Sequence, residues 1–153
     1  MQRLSAMLVL FLCGSGAALA QGAGTPAEFV LTVCNKSNEP ALAAVAARIP
    51  QTGGGEHPTR VQGWWQIPTG ECNTVGTFPD PGFFIHLRSQ RGVTATFKER
   101  PSIPFCVDLK GDFTGTVESF KSAIKQCPPE QTLVMFQLFI VGKATTYTLT
   151  LDP

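Results

Sequence analysis

Val61-Gln62-Gly63-Trp64-Trp65-Gln66-Ile67-Pro68-Thr69-Gly70-Glu71-Cys72 is the stretch on which the fold turns. Read with a period of two, Val61, Gly63, Trp65 and Ile67 share one face of a strand, and Gln62, Trp64 and Gln66 share the other. Pro68-Thr69-Gly70 is a turn signal, and a cysteine opens the next strand. The apolar set assigns Trp65 to the core. Trp64, flanked by glutamines, then faces the opposite way.

Strand candidates run outward from this one in both directions, Glu28–Cys34 apolar on both faces and Phe83–Arg88 and Val93–Phe97 alternating as it does. Glu28–Cys34 and Ala41–Ile49 precede it, and Glu71–Phe78, Phe83–Arg88, Val93–Phe97 and Phe105–Leu109 come after. Thr132–Val141 is a continuous apolar run that suits a central strand, and Thr145–Leu151 alternates Tyr147, Leu149 and Leu151 with threonines. Ala41–Ile49 is rich in helix-favouring alanine, yet its length between two turns fits a strand better. Small side chains there would let Trp65 pack close. One segment breaks the period: Val117, Phe120, Ile124 and Cys127 sit at helical spacing, with Thr116 as cap and Pro128-Pro129 as stop. The expectation is an all-β, antiparallel β-sandwich of about nine short strands with one short helix, braced by disulfides.

Residues 1–20 read as a signal peptide: Arg3, an apolar run from Ala6 to Leu12, and the small-x-small site Ala18-Leu19-Ala20. Cleavage near Ala20 leaves 21–27 as a flexible leader and 28–153 as a single domain, exported to the periplasm or beyond. The apolar run is too short to span a bilayer, and Thr132–Val141 is too short as well, so no transmembrane segment is expected in the mature chain. Without Arg3 the twelve Lys and Arg become eleven, which balance eleven Asp and Glu. A neutral chain lacks the basic footprint of nucleic-acid binding and the polybasic attraction to anionic membranes.

Cys34, Cys72, Cys106 and Cys127 remain after the leader, 38, 34 and 21 positions apart. An even count in an exported chain points to two disulfides in one of three connectivities, whereas zinc sites want short paired spacings. No metal or other cofactor is expected. Asn35-Lys36-Ser37 matches a glycosylation triplet but reads as a turn.

In this order, Val33-Cys34-Asn35-Lys36-Ser37, Gly63-Trp64-Trp65-Gln66-Ile67 with Gly70-Glu71-Cys72, and Phe105-Cys106-Val107-Asp108 resemble the bacterial family catalogued as domain of unknown function 1036. The likeness covers most of residues 21–153. It implies a small exported bacterial domain and supplies no activity, ligand or catalytic residue. The chain departs from the family's usual look in the glycine-rich Gln51–His57 loop and in the run to Cys127. The pairing expected here is Cys34–Cys72, tying the opening strand to the turn after the tryptophans, and Cys106–Cys127, pinning the helix end to Phe105–Leu109.

Catalytic chemistry is sparse. A hydrolytic triad needs a nucleophile and base in contact, oriented by a third group. His86 with Asp108 or Asp112 could provide part of one, in a periplasmic or secreted hydrolase, but no G-x-S-x-G or free cysteine offers a nucleophile. The plainer role for His86 is a half-buried strand residue bonded to a carboxylate or carbonyl. Trp64 is the better lead: an outward Trp can stack on a sugar or anchor a partner, with Gln62, Gln66 and Arg88 at its polar rim. The structural alternative, favoured because large aromatics are usually well buried, has the helix or a long loop cover that face and bury both tryptophans. The expected function is therefore a non-catalytic exported module that binds a glycan or an envelope component.

Overall fold

The computed structural model describes residues 28–50, 57–79, 82–117 and 126–152. They form ten strands: β1 (Phe29–Asn35), β2 (Ala41–Arg48), β3 (Thr59–Ile67), β4 (Cys72–Phe78), β5 (Gly82–Ser89), β6 (Thr94–Ala95), β7 (Ser102–Val107), β8 (Phe113–Val117), β9 (Thr132–Ile140) and β10 (Thr146–Leu151). Two sheets pack together. One has the order β10-β1-β4; the other runs β7-β9-β5-β2-β3-β8, with β6 added on β5. The all-β, two-sheet architecture is the expected one, with one strand pairing of the other sense. β1 and β10 lie parallel, Val30 opposite Thr146 and Asn35 opposite Leu151.

Between the sheets lies the first core. Phe29, Leu31 and Val33 of β1 and Leu149 and Leu151 of β10 meet Phe83, Ile85 and Leu87 of β5 and Phe139 of β9. Phe83 stacks on Phe139 with ring centroids 5.5 Å apart, and Phe29 lies 5.5 Å from Phe83. β5 and β10 bring the apolar faces that their alternation foretells, while β1, apolar on both faces in sequence, turns Phe29, Leu31 and Val33 inward.

A second core lies on the other face of the larger sheet. β7 and β8 end that sheet on opposite sides, yet only residues 108–112 connect them. Six flat strands would hold their outer members about 24 Å apart, while the chain from Val107 to Phe113 reaches at most about 21 Å. The sheet must therefore curl. Its concave face closes around Ala44, Ala46, Val61, Trp64, Phe105, Val107 and Phe136. β2 runs between the two cores, which explains its sequence: Ala43, Val45 and Ala47 serve the first, Ala44 and Ala46 the second. Its neighbour approaches so closely that a Cβ on Gly63 would sit 2.9 Å from the Ala44 Cβ.

At that close approach the register shifts. Ala43 pairs with Trp65 and Ala44 with Gly63, so Trp64 is an extra residue in β3. A bulge of this kind turns every side chain beyond it to the opposite face. Val61 consequently shares the second core with Trp64, while Trp65 and Ile67 lie on the first. The strict alternation expected for 61–67 is thus corrected. Trp64 is buried at 9% exposure, and Trp65 is the half-buried member of the pair.

The expected helix is corrected at its start. Thr116 and Val117 belong to β8 and pair with Arg60 and Thr59. Residues 118–125 lie outside the described set, which contains no helix. The signal peptide, the leader and the glycine-rich 51–56 segment also fall outside it. The disulfides are Cys34–Cys72 and Cys106–Cys127, with Cα atoms 3.9 and 5.5 Å apart.

Asn35 is wholly buried beside the first disulfide and acts as a hub. Its Nδ2 donates to the carbonyls of Glu39 (2.8 Å) and Ile67 (3.0 Å), and its Oδ1 accepts from Ser37 N (3.0 Å) and Ser37 Oγ (2.6 Å). Its backbone holds the Gly70-Glu71 turn, through Gly70 N to Asn35 O at 2.7 Å and Asn35 N to Glu71 O at 2.8 Å. The Cys-Asn-Lys-Ser and Gly-Glu-Cys elements are therefore one packed structural unit, and the Asn-Lys-Ser triplet is a turn.

Candidate functional site

Trp64 enters the mouth of the curled sheet from the β3 bulge, and the 108–112 turn closes over it. Its Nε1 donates to Asp108 O at 2.7 Å, and its main-chain N lies 3.4 Å from Asp112 Oδ1. His86 and Phe113 meet the indole edge-on, at 5.8 and 5.6 Å between centroids. The Arg88 guanidinium lies over the ring, 4.5 Å from its centroid, and its Nη2 donates to Leu109 O at 3.3 Å. Arg88 Nε is buried without a hydrogen-bond partner. Cation–π contact and the turn carbonyl thus hold this charge in place.

His86 sits where the sheet divides. β9 pairs with β5 only as far as Ile85, and β6 takes over the same edge at Leu87 and Arg88. The Met135 carbonyl beyond that fork would lose a ladder partner. His86 Nδ1 donates to it at 2.9 Å, which fixes the neutral ring as the Nδ1–H tautomer. Burial pushes the His86 pKa below the ordinary 6.5; the Met135 bond opposes this, and the nearby Arg88 charge adds to it. The ring is also 5.6 Å from Phe136.

Neither carboxylate considered with His86 is placed as its orienting partner. Asp108 Oδ1 accepts from Lys110 N at 2.7 Å, shaping the turn, and Asp112 faces the Trp64 amide. The position that a triad carboxylate would occupy at Nδ1 is filled by a backbone carbonyl. No group of three or more His, Cys, Asp or Glu among the described residues is arranged to hold a metal.

Of the four expected binding residues, Trp64 and Arg88 are in contact. Gln66 shares their side of the sheet: it stands opposite Leu42, which stands opposite Arg88. Its side chain is exposed, and its carbonyl accepts from Asn73 Nδ2 at 2.7 Å. Gln62 pairs with Val45 and lies before the bulge, on the other side. It nevertheless reaches the candidate site from there. A groove of about 400 Å³ opens where β8 begins beside β3, lined by Gln62, Gly63, Trp64, Trp65, Asp112, Phe113 and Thr114. Its size falls in the range of small-ligand sites. The sequence pattern does not bring Trp65, Asp112, Phe113 and Thr114 to this place, because β8 is too short and polar to announce itself as a strand.

The fold and groove define a disulfide-braced, two-sheet β domain with an aromatic and acidic cleft at the open end of its curled sheet. Two disulfides fit an oxidising compartment, and no described helix is long and apolar enough to cross a membrane. No family model, curated protein or solved structure matches the chain.

Proposed function

We propose that the protein is an exported, non-catalytic binding domain whose ligand, a glycan or another envelope component, enters the β3–β8 groove. The proposal includes a signal peptide over residues 1–20, cleaved near Ala20 for release to the periplasm or beyond, and kinship with domain of unknown function 1036. The observation that carries it is the groove itself. It joins one half-buried Trp, an exposed carboxylate, an amide and a hydroxyl around about 400 Å³. An aromatic surface beside a few polar groups is the usual make-up of a small-molecule site. The direction of the His86 and Asp108 bonds weighs against the hydrolase alternative.

The test is titration of the labelled protein with cellotetraose, maltotetraose and chitotetraose, read by amide and indole shifts in NMR spectra. Binding should move Trp65, Asp112 and Thr114 and be lost in Asp112→Ala. A hydrolase-substrate panel on wild type and His86→Ala runs beside it. Turnover that disappears in His86→Ala would overturn the non-catalytic reading.

A further inference from the structure

β10 ends its sheet, with β1 on one side and nothing among the described residues on the other. Free edges are usually guarded by a lysine, a proline or a bulge. β7, at an end of the other sheet, carries Pro104 within it and Pro101 just before it. β10, Thr146-Tyr147-Thr148-Leu149-Thr150-Leu151, has no such guard: it is uncharged, free of proline and paired with β1 without a register shift.

The β1 bonds fix which backbone groups remain. Val30 N bonds to Thr145 O and Lys36 N to Leu151 O, so the odd-numbered residues of β10 turn their amide and carbonyl toward β1. Thr146, Thr148 and Thr150 then present theirs to the open edge. The side chains alternate as well. Leu149 and Leu151 are buried and Tyr147 packs on the core, while Thr146 and Thr148 are exposed.

We propose that this edge binds a second copy of itself, antiparallel about a two-fold axis through Thr148. In that register Thr148 meets Thr148, Thr146 meets Thr150, and Tyr147 meets Leu149. Each facing pair therefore joins residues from the same side of the sheet. The three threonine pairs are also the ones whose backbone groups point outward. They exchange two hydrogen bonds each, about six in all. Moving the axis to Thr146 or Thr150 leaves a single threonine facing pair, so the sequence selects the central register. Two three-stranded sheets become one of six strands, whose outer face carries the row Thr74–Thr32–Thr148 from each copy. An interface built chiefly from one strand edge is at the small end of specific contacts, so the dimer exchanges with monomer.

Analytical ultracentrifugation over a concentration series should show reversible dimers for the wild type. Thr148→Lys places like charges on the axis and should leave a monomer with an unchanged melting temperature. Thr148→Cys should form a disulfide-linked dimer under mild oxidation, and Thr146→Cys should not, because its partner is Thr150. A wild-type monomer throughout the series would overturn the proposal. So would a Thr148→Lys dimer, or cross-linking through Thr146→Cys in preference to Thr148→Cys.

Discussion

Replacing Trp64 by alanine should damage the fold more than replacing Trp65, although the period-two pattern of the strand says the reverse. Trp64 is 9% exposed and fills the mouth of the second core between His86, Phe113 and Arg88. Truncating a buried Trp costs about 3–5 kcal/mol through lost transfer energy and the cavity left behind. Trp64→Ala also leaves Asp108 O without its indole donor, worth about 1 kcal/mol or more, and removes the ring beneath the Arg88 charge, worth about 0.5–2 kcal/mol. These terms overlap, because one collapse of the mouth loses all three, and about 4–5 kcal/mol is the expected total. Trp65 is half-buried and stands at the margin of the first core. Its truncation should cost about half as much.

Urea denaturation at neutral pH measures both values directly. Trp64→Phe refines the reasoning, since it keeps an aromatic ring in the mouth but loses the bond to Asp108 O. It should fall between wild type and Trp64→Ala. Greater destabilisation by Trp65→Ala than by Trp64→Ala would refute the bulge as the feature that sets which Trp is core.

Stability should fall as pH drops from about 7 toward 5 in a manner that depends on His86. Its folded pKa lies below its unfolded value of 6.5, so in that window the unfolded chain binds more protons and stability rises with pH. The contribution is complete above the unfolded value and fades on acidification; urea midpoints of wild type and His86→Gln should diverge across that window, and parallel curves would contradict the assignment. Asn35→Ala strands the Glu39 and Ile67 carbonyls and loosens the turn beside Cys34–Cys72. It should cost about 2–4 kcal/mol by the same assay. Gly63→Ala should also destabilise, because its Cβ would meet Ala43 O at 3.1 Å as well as Ala44 Cβ, and backbone on β2 cannot move aside without disturbing both cores. A melting temperature equal to wild type would show that the two strands part easily.

Alternation is legible in a sequence wherever one face of a strand is buried and the other is wet, and that holds for β10, where Leu149 and Leu151 are buried and Thr146 and Thr148 exposed. It is silent on curl. The second core arises because a five-residue turn joins the two outer strands of one sheet, a constraint that appears only once β8 is known to pair with β3. β8 itself, Phe113-Thr114-Gly115-Thr116-Val117, is glycine and threonine throughout its exposed middle, so it carries no apolar period to read. The tryptophans show the consequence most sharply. A single extra residue at Gly63–Trp64 exchanges the two faces of β3, and the visible trace of it is a glycine in mid-strand beside an alanine-rich neighbour. A period of two makes that glycine a member of the apolar face. Physically it is the point where β2 and β3 come too close for a side chain, and the bulge after it swings Trp64 inward and leaves Trp65 to line the groove. The candidate site therefore extends one residue along from the pattern's choice, into the groove that Trp65 and Asp112 line together with Trp64, for the same reason that the core does.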